Sequence, residues 1–299
     1  MPRLSFRNAS VWLSILLLAV SVVSCKRDPV AKTRTPEGSV QAGAEALGKG
    51  DLRAFVLSQV PPKDLDKLRA DWKAQAAKPV DPTEAKRFSE QMATFTDADA
   101  VDKMMQEFEP KLAEFDREGA AQMPMLIGMI TGMAQASIQQ NKDLDAAGKA
   151  QAMQMVNALT RWVSGAKFTD RAKVRASIEA LTGAARGSKV RTLAQMQALP
   201  FDAALDEYSR AFRAFKAVLA NYGLPLDPVF GSVKTKVLSK TDSTAKVRVS
   251  YRMLETDFTH DLDMVKVDDR WYGSKTATQV GGMLRDKDDD AALPLPIAP

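Results

Sequence analysis

One cysteine and one histidine stand in a chain of 299 residues. With Cys25 alone, no disulfide can form within the chain, so the fold must hold by packing. No zinc-type Cys/His spacing, Gly-rich phosphate loop, Gly-x-Ser-x-Gly elbow or Ser/His/Asp order is present. The residues therefore point to no catalytic group, metal or other cofactor. Aromatics make up only 7% of the chain while methionines number 14, a balance that leans toward helix. Charge of one sign is also missing: 42 basic residues against 37 acidic leave +5, too mild to argue for nucleic acid. Long apolar runs are confined to two places, Val11 to Ser24 and Met123 to Met133.

The first run sets the compartment. Met1 to Arg7 carries Arg3 and Arg7 and no acid, and Val11 to Ser24 is then apolar apart from serines. This is the basic, apolar, small-residue layout of a secretory signal peptide. Its apolar part has about 14 residues, whereas a spanning helix needs roughly 20. Val22-Val23-Ser24-Cys25 closes the run and resembles the lipobox of bacterial lipoproteins. The resemblance implies cleavage after Ser24 and a diacylglyceryl thioether on Cys25, whose sulfur is the nucleophile such a linkage needs. Two or three acyl chains would then hold the body at a membrane, which one chain alone does not do stably. Lys26, where an inner-membrane signal would place Asp, implies the periplasmic face of the outer membrane. A plain signal peptide with a chance Cys is the alternative, although Val22 is large for the position three before the cut. Residues 1–24 are thus expected to be a lipoprotein signal peptide and 25–38, with Pro29 and Pro36, a tether. The 275 residues that remain after cleavage are nearly neutral, at +3.

Residues 39–230 read as helical. Ser39 is a candidate N-cap for Val40, Ala44 and Leu47, and Asp51 caps Leu52, Phe55 and Val56 after the Gly48–Gly50 break. Lys63 to Gln75 places Leu65, Leu68 and Trp72 on one side. Met92 to Phe115 repeats apolar residues every three to four positions, with a break at Thr96-Asp97. Further helices are expected over Lys149 to Ser164, over Thr169 to Thr182 (followed by a Gly183–Ser188 loop), and over Phe201 to Tyr222, with Gly223 as its C′ residue. Met123 to Met133 has three readings. Met125, Met129 and Met133 share a helix face and are soft ligands of the kind copper proteins use; the run also suits contact with a membrane or partner; and it suits a central buried helix, methionine being a filler of irregular core gaps. The buried helix is the expectation carried forward.

The period changes to two after Pro228. Val233, Thr235 and Val237 begin a first strand, and Ala245, Val247, Val249, Tyr251 and Met253 alternate with charged and polar residues. Phe258, His260, Leu262 and Met264 alternate likewise. A turn at Glu255-Thr256 would set Tyr251 opposite His260 and Arg248 opposite Asp263. Val265-Lys266-Val267 suggests a bulge, and Asp268-Asp269 a tight turn into Trp271 and Tyr272. The fold class is therefore α+β: a mostly helical body followed, over 231–280, by a four-strand antiparallel meander packed on the helices, and by a disordered tail over 281–299.

Ser39 to Val60, with its Gly-Asp break, and the closing Val267-Asp268-Asp269-Arg270-Trp271-Tyr272 resemble the two ends of nuclear-transport-factor-two-like domains found in small bacterial lipoproteins. That resemblance implies helices against a curved sheet that often encloses a pocket. It covers about a quarter of the chain; the helical stretch between the matching ends is longer than the family's.

His260 and Tyr251, on the apolar face of the meander, are the candidate ligand-binding residues, because a His–Tyr pair in a sheet cavity can bind a ligand or move a proton. The ordinary alternative is a hydrogen-bonded core histidine. Asp257, Asp261 and Asp263 read as a solvated face beside Arg248 and Arg252. The expected function is a non-catalytic lipoprotein acting as a binding or envelope-structural module. Its partners would be the membrane through Cys25, with no nucleic acid, and an envelope protein or a small apolar ligand held in a pocket on the sheet.

Overall fold

A chain this rich in Asp and Thr just ahead of apolar helical repeats has the means to cap its own helices, and a computed structural model covering residues 29–142 and 144–274 shows it doing so. The expected signal peptide over 1–24, Cys25 and the expected tail over 281–299 lie outside these described residues. Helix α1 (Pro29–Lys32) leads into α2 (Pro36–Gly48), α3 (Leu52–Gln59), α4 (Pro62–Ala76), α5 (Pro82–Thr96) and α6 (Ala100–Glu114). A π-turn at Phe115–Gly119 follows, then α7 (Met123–Gln140), α8 (Ala146–Gly165), α9 (Arg171–Gly187), α10 (Leu193–Gln197), α11 (Phe201–Asn221) and α12 (Leu226–Gly231). The carboxylates of Asp51, Asp81, Asp145 and Asp170 each accept from a backbone N–H in the first turn of the next helix.

The folded body begins earlier than the tether boundary at residue 38 implies. Thr35, not Ser39, caps α2, accepting from Gly38 N at 3.1 Å, and Pro36 takes the position where a missing N–H does no harm. Ser39 is buried instead and donates its hydroxyl to the Trp271 carbonyl at 2.6 Å. Trp271 N donates to the Thr33 carbonyl at 2.8 Å, so both ends of the described chain meet at one strand.

The sheet runs β1 (Lys234–Lys240), β2 (Thr244–Met253), β3 (Thr256–Val267), β4 (Arg270–Gly273), antiparallel and in sequence order. This is the α+β architecture of a helical body and a C-terminal four-strand meander. The faces match the sequence pattern, but the β2–β3 register does not. The turn is Leu254-Glu255, both with positive φ (49° and 60°), as a two-residue primed hairpin requires. Tyr251 therefore pairs with Phe258, Val249 with His260 and Arg248 with Asp261. The shift is two residues, which keeps every side chain on its face. The outer face decides between the two registers. The observed one sets Arg252 against Asp257, Arg248 against Asp261 and Lys246 against Asp263. The alternative would leave only Arg248–Asp263 among these opposed. The bulge also falls elsewhere: β3 runs unbroken through Val267, and the register shift lies in β1 between Val237 and Ser239. Asp268 and Asp269 form the second tight turn, with φ of 47° and 62°.

The inner face of the sheet builds the main core. Val247, Val249, Phe258, Met264 and Trp271 pack with Val40 and Leu47 of α2, Val229 and Phe230 of α12 and Ala158 of α8. Ser39 and Gln41 tie α2 to both sheet edges, to Trp271 in β4 and to Thr235 in β1. Lys216 of α11 is buried; its ammonium donates to the carbonyls of Leu47 (3.1 Å) and Gly48 (2.6 Å) and pairs with Asp227. It thereby satisfies the Gly48 carbonyl at the end of α2 and adds a second donor at Leu47, which also accepts from Gly50 N. Helix α9 continues through the expected Gly183–Ser188 loop and ends at Gly187, the Ser188 N–H still reaching the Ala184 carbonyl. Pro228 sits inside α12, in its first turn, where proline is tolerated.

Candidate functional site

Cys25, the lipidation candidate, lies outside the described residues. His260 and Tyr251 are both on the inner face of the sheet, diagonal across β2–β3 rather than opposite. The Tyr251 ring stacks on Phe258 (centroids 5.2 Å, 18°) and meets His260 edge-on (6.1 Å, 78°). Burial lowers the His260 pKa from its ordinary value, opposed by Asp261 on the other sheet face, and pushes the Tyr251 hydroxyl up to about 12. Both groups are thus held neutral. The hydrogen bond expected of a core histidine is missing at Nδ1, which is buried with no partner. Tyr251 packs in the core cluster that the sheet forms with residues of α2, α8 and α12, and His260 lies half-buried beside it.

The second long apolar run yields the larger surprise. Met123 to Gln140 is a helix, but it contains no buried residue and is not central. It lies along α8, with Met123, Ile127, Ala134 and Ile138 half-buried on the same side as Thr131. The Thr131 and Thr160 hydroxyls meet at 2.9 Å, Gln135 Nε2 donates to Asn157 Oδ1 at 3.3 Å, and Lys149 Nζ donates to the Gln139 carbonyl at 2.7 Å. A second apolar row points outward. Met125 is 75% exposed, Ile130 62%, Met133 66% and Met129 55%. The helix is therefore apolar on both sides, whereas the usual amphipathic arrangement places polar residues on the outer one. Burying such side chains contributes roughly 1.5–3 kcal/mol each, and this fold leaves that unrealised. Met125, Met129 and Met133 stand in a row along the helix rather than converging on a point. Among the described residues no group of His, Cys, Asp and Glu is placed to hold a metal ion.

A cleft of about 470 Å³ opens at the N-terminal end of α7, between the π-turn and the loop joining α8 to α9. Phe115, Met123, Ile127, Val163 and Phe168 give it an apolar lining, and Asp116, Lys167 and Asp170 stand among them. Two of the three charges are engaged. Arg171 pairs with Asp116 and, at 3.0 Å, with Glu109; a hydrogen bond from Thr169, and then the one from Arg171, hold the Asp116 carboxyl below its ordinary range. Asp170 accepts from the first N–H groups of α9. Gly119 is required where it is: a Cβ there would sit 2.6 Å from the Phe115 ring, which lies over that backbone.

Sequence reasoning located the run of α7 and misassigned its burial. The signal was present in the helix itself, since Thr131 and Gln135 lie on the face opposite Met125 and Met129. No helix among the described residues is long and apolar enough to cross a membrane. No family model, curated protein or solved structure matches this chain.

Proposed function

We propose that this chain is an exported, lipid-anchored, non-catalytic docking module, held through Cys25 at the periplasmic face of the outer membrane, with the outer face of α7 as its working surface. The observation that carries this reading is the exposed apolar row of α7: Met125, Met129, Ile130 and Met133 turn to solvent on a helix whose other side already packs against α8. A contiguous apolar patch of this kind on a soluble body marks an interaction surface. The Val22–Cys25 motif supports the anchor, and the span of α2 from β4 to β1 supports the resemblance to nuclear-transport-factor-two-like domains. Two measurements test it. Palmitate labelling and membrane fractionation are expected to be lost in Cys25→Ser; unchanged labelling removes the anchor. A photo-reactive amino acid at position 129 is expected to cross-link in intact envelopes; a silent probe removes the docking surface.

A small apolar ligand is the second reading. The cleft beside Phe115 and Phe168 supports it as an open apolar space, whereas Tyr251 on the sheet face is already packed in the core. Binding of an apolar fluorescent dye that Phe168→Arg abolishes is the expected result. Binding indifferent to that change counts against it.

A further inference from the structure

We infer that the surface covering the outer face of α7 belongs to a second copy of this chain, α7 packing against α7 across a two-fold axis; this rests on the docking reading above. The outer face carries two parallel rows. Met125, Met129 and Met133 form a ridge at every fourth position, and Gly128, Gly132 and Ala136 form a groove beside it. A Cβ built at Gly128 or at Gly132 meets nothing within 4 Å, so the groove is open to a neighbour. Ridges of one helix packing into grooves of another is the general rule of helix contact. Ridge and groove here lie on the same face, so two copies related by a two-fold axis each supply what the other lacks. One patch serving both sides is what an isologous interface demands.

Charge permits a copy and disfavours an anionic bilayer. No charged residue occurs between Glu118 and Lys142. A charge near a two-fold axis meets its own sign, and this face brings none there. An anionic bilayer surface would be favoured by a basic rim and by Trp or Tyr at the interface. The face has neither aromatic, and its flanks mix Glu114, Asp116, Glu118 and Asp145 with Arg117, Lys142 and Lys149. The helix is about 27 Å long. A strip of that length buries several hundred Å² per copy, near the low end of specific interfaces at about 1,200 Å² in total. The pairing is accordingly reversible and concentration-dependent, and two bodies confined to one membrane surface would meet at raised effective concentration.

The test is thiol cross-linking of the full chain in intact membranes, using Gly132→Cys and a short bis-maleimide. The unmodified chain, with Cys25 alone, and Thr259→Cys on the outer sheet face are controls. A dimer band from Gly132→Cys only, lost when Met129→Asp is added, is the expected result. In sedimentation of the detergent-extracted chain, the unmodified protein is expected to pass from monomer to dimer with concentration. Met129→Asp and Met129→Lys are expected to stay monomeric with unchanged circular dichroism. A monomer at all concentrations with no Gly132→Cys dimer overturns the pairing. If the probe at position 129 then captures a species of another mass, the docking surface stands and the second copy falls. If it captures nothing, both fall.

Discussion

The Thr131 and Thr160 hydroxyls lie 2.9 Å apart and join α7 to α8 on the side of α7 that turns away from solvent. The bond sits among the half-buried Ile127, Ala134 and Ile138 and adds direction to an otherwise non-directional contact. Removing one hydroxyl leaves the other half-buried and unpaired, whereas removing both leaves two methyl-bearing surfaces in contact. Thr131→Val and Thr160→Val are each expected to cost about 1 kcal/mol in denaturant unfolding, and the double variant less than their sum. Additive losses would show that the pair does not orient the helix.

The exposure of α7 separates two methionines that the sequence treats alike. Met264 is 2% exposed in the sheet core and Met129 is 55% exposed. Met264→Ala is expected to cost about 2–5 kcal/mol. Met129→Ala is expected to stay within about 0.5 kcal/mol of the parent, as surface changes do. Equal losses at the two positions, measured by urea titration, would return α7 to the core.

His260 gives a pH dependence of definite sign. Burial depresses its pKa, so below the unfolded value of about 6.5 the unfolded chain binds a proton that the folded chain does not. Stability contributed by the neutral ring is present above that value and is lost as pH falls from about 6.5 toward the lowered folded pKa. The slope is at most about 1.4 kcal/mol per pH unit. His260→Phe is expected to flatten stability between pH 5 and 6.5 while leaving pH 8 little changed. An unaltered profile would place the ring in water.

The β2–β3 register is testable at its outer face. Arg248 donates twice to Asp261, at 2.8 and 3.0 Å, and holds that carboxyl below its ordinary range. The pair is exposed, so its coupling is expected at about 0.2–1 kcal/mol. Arg248→Asp alone is expected to destabilise, and Arg248→Asp with Asp261→Arg to recover most of the loss. Recovery with Asp263→Arg instead would support the register two residues away. The contribution is present above the ordinary carboxylate range and lost as pH falls through the lowered Asp261 pKa.

Lys216 is expected to matter more than any surface lysine. Lys216→Met removes the donor that serves the Gly48 carbonyl, and leaving a buried acceptor unmet costs about 1–3 kcal/mol, while the Leu47 carbonyl keeps its bond from Gly50 N. Thermal unfolding checks this against Lys234→Met on the exposed sheet face.

Much of this fold was legible in the residues, for identifiable reasons. Alternation of period two located β2, β3 and the second turn, because one buried face imposes it. The same alternation cannot distinguish registers two residues apart, since both keep Val247 and Val249 inward. Only the opposed charges Arg252–Asp257 and Lys246–Asp263 decide, and they act across the sheet rather than along the chain. The burial of α7 was misread because apolar composition reports what a segment prefers, not whether a neighbour covers it. The cap at Thr35 was missed because Ser39, a better-looking candidate beside the apolar repeat, is committed to the Trp271 carbonyl 232 residues away. Cys25, and with it the anchor, stays a matter of motif alone. The His260 and Tyr251 side was foreseen, their diagonal placement and the unmet Nδ1 were not.

The bond from Trp271 to the Thr33 carbonyl has a mechanical corollary. It rivets the start of the described residues to the last strand of the sheet. A load arriving at Thr33 therefore passes straight to the sheet edge at β4, without having to travel through α2.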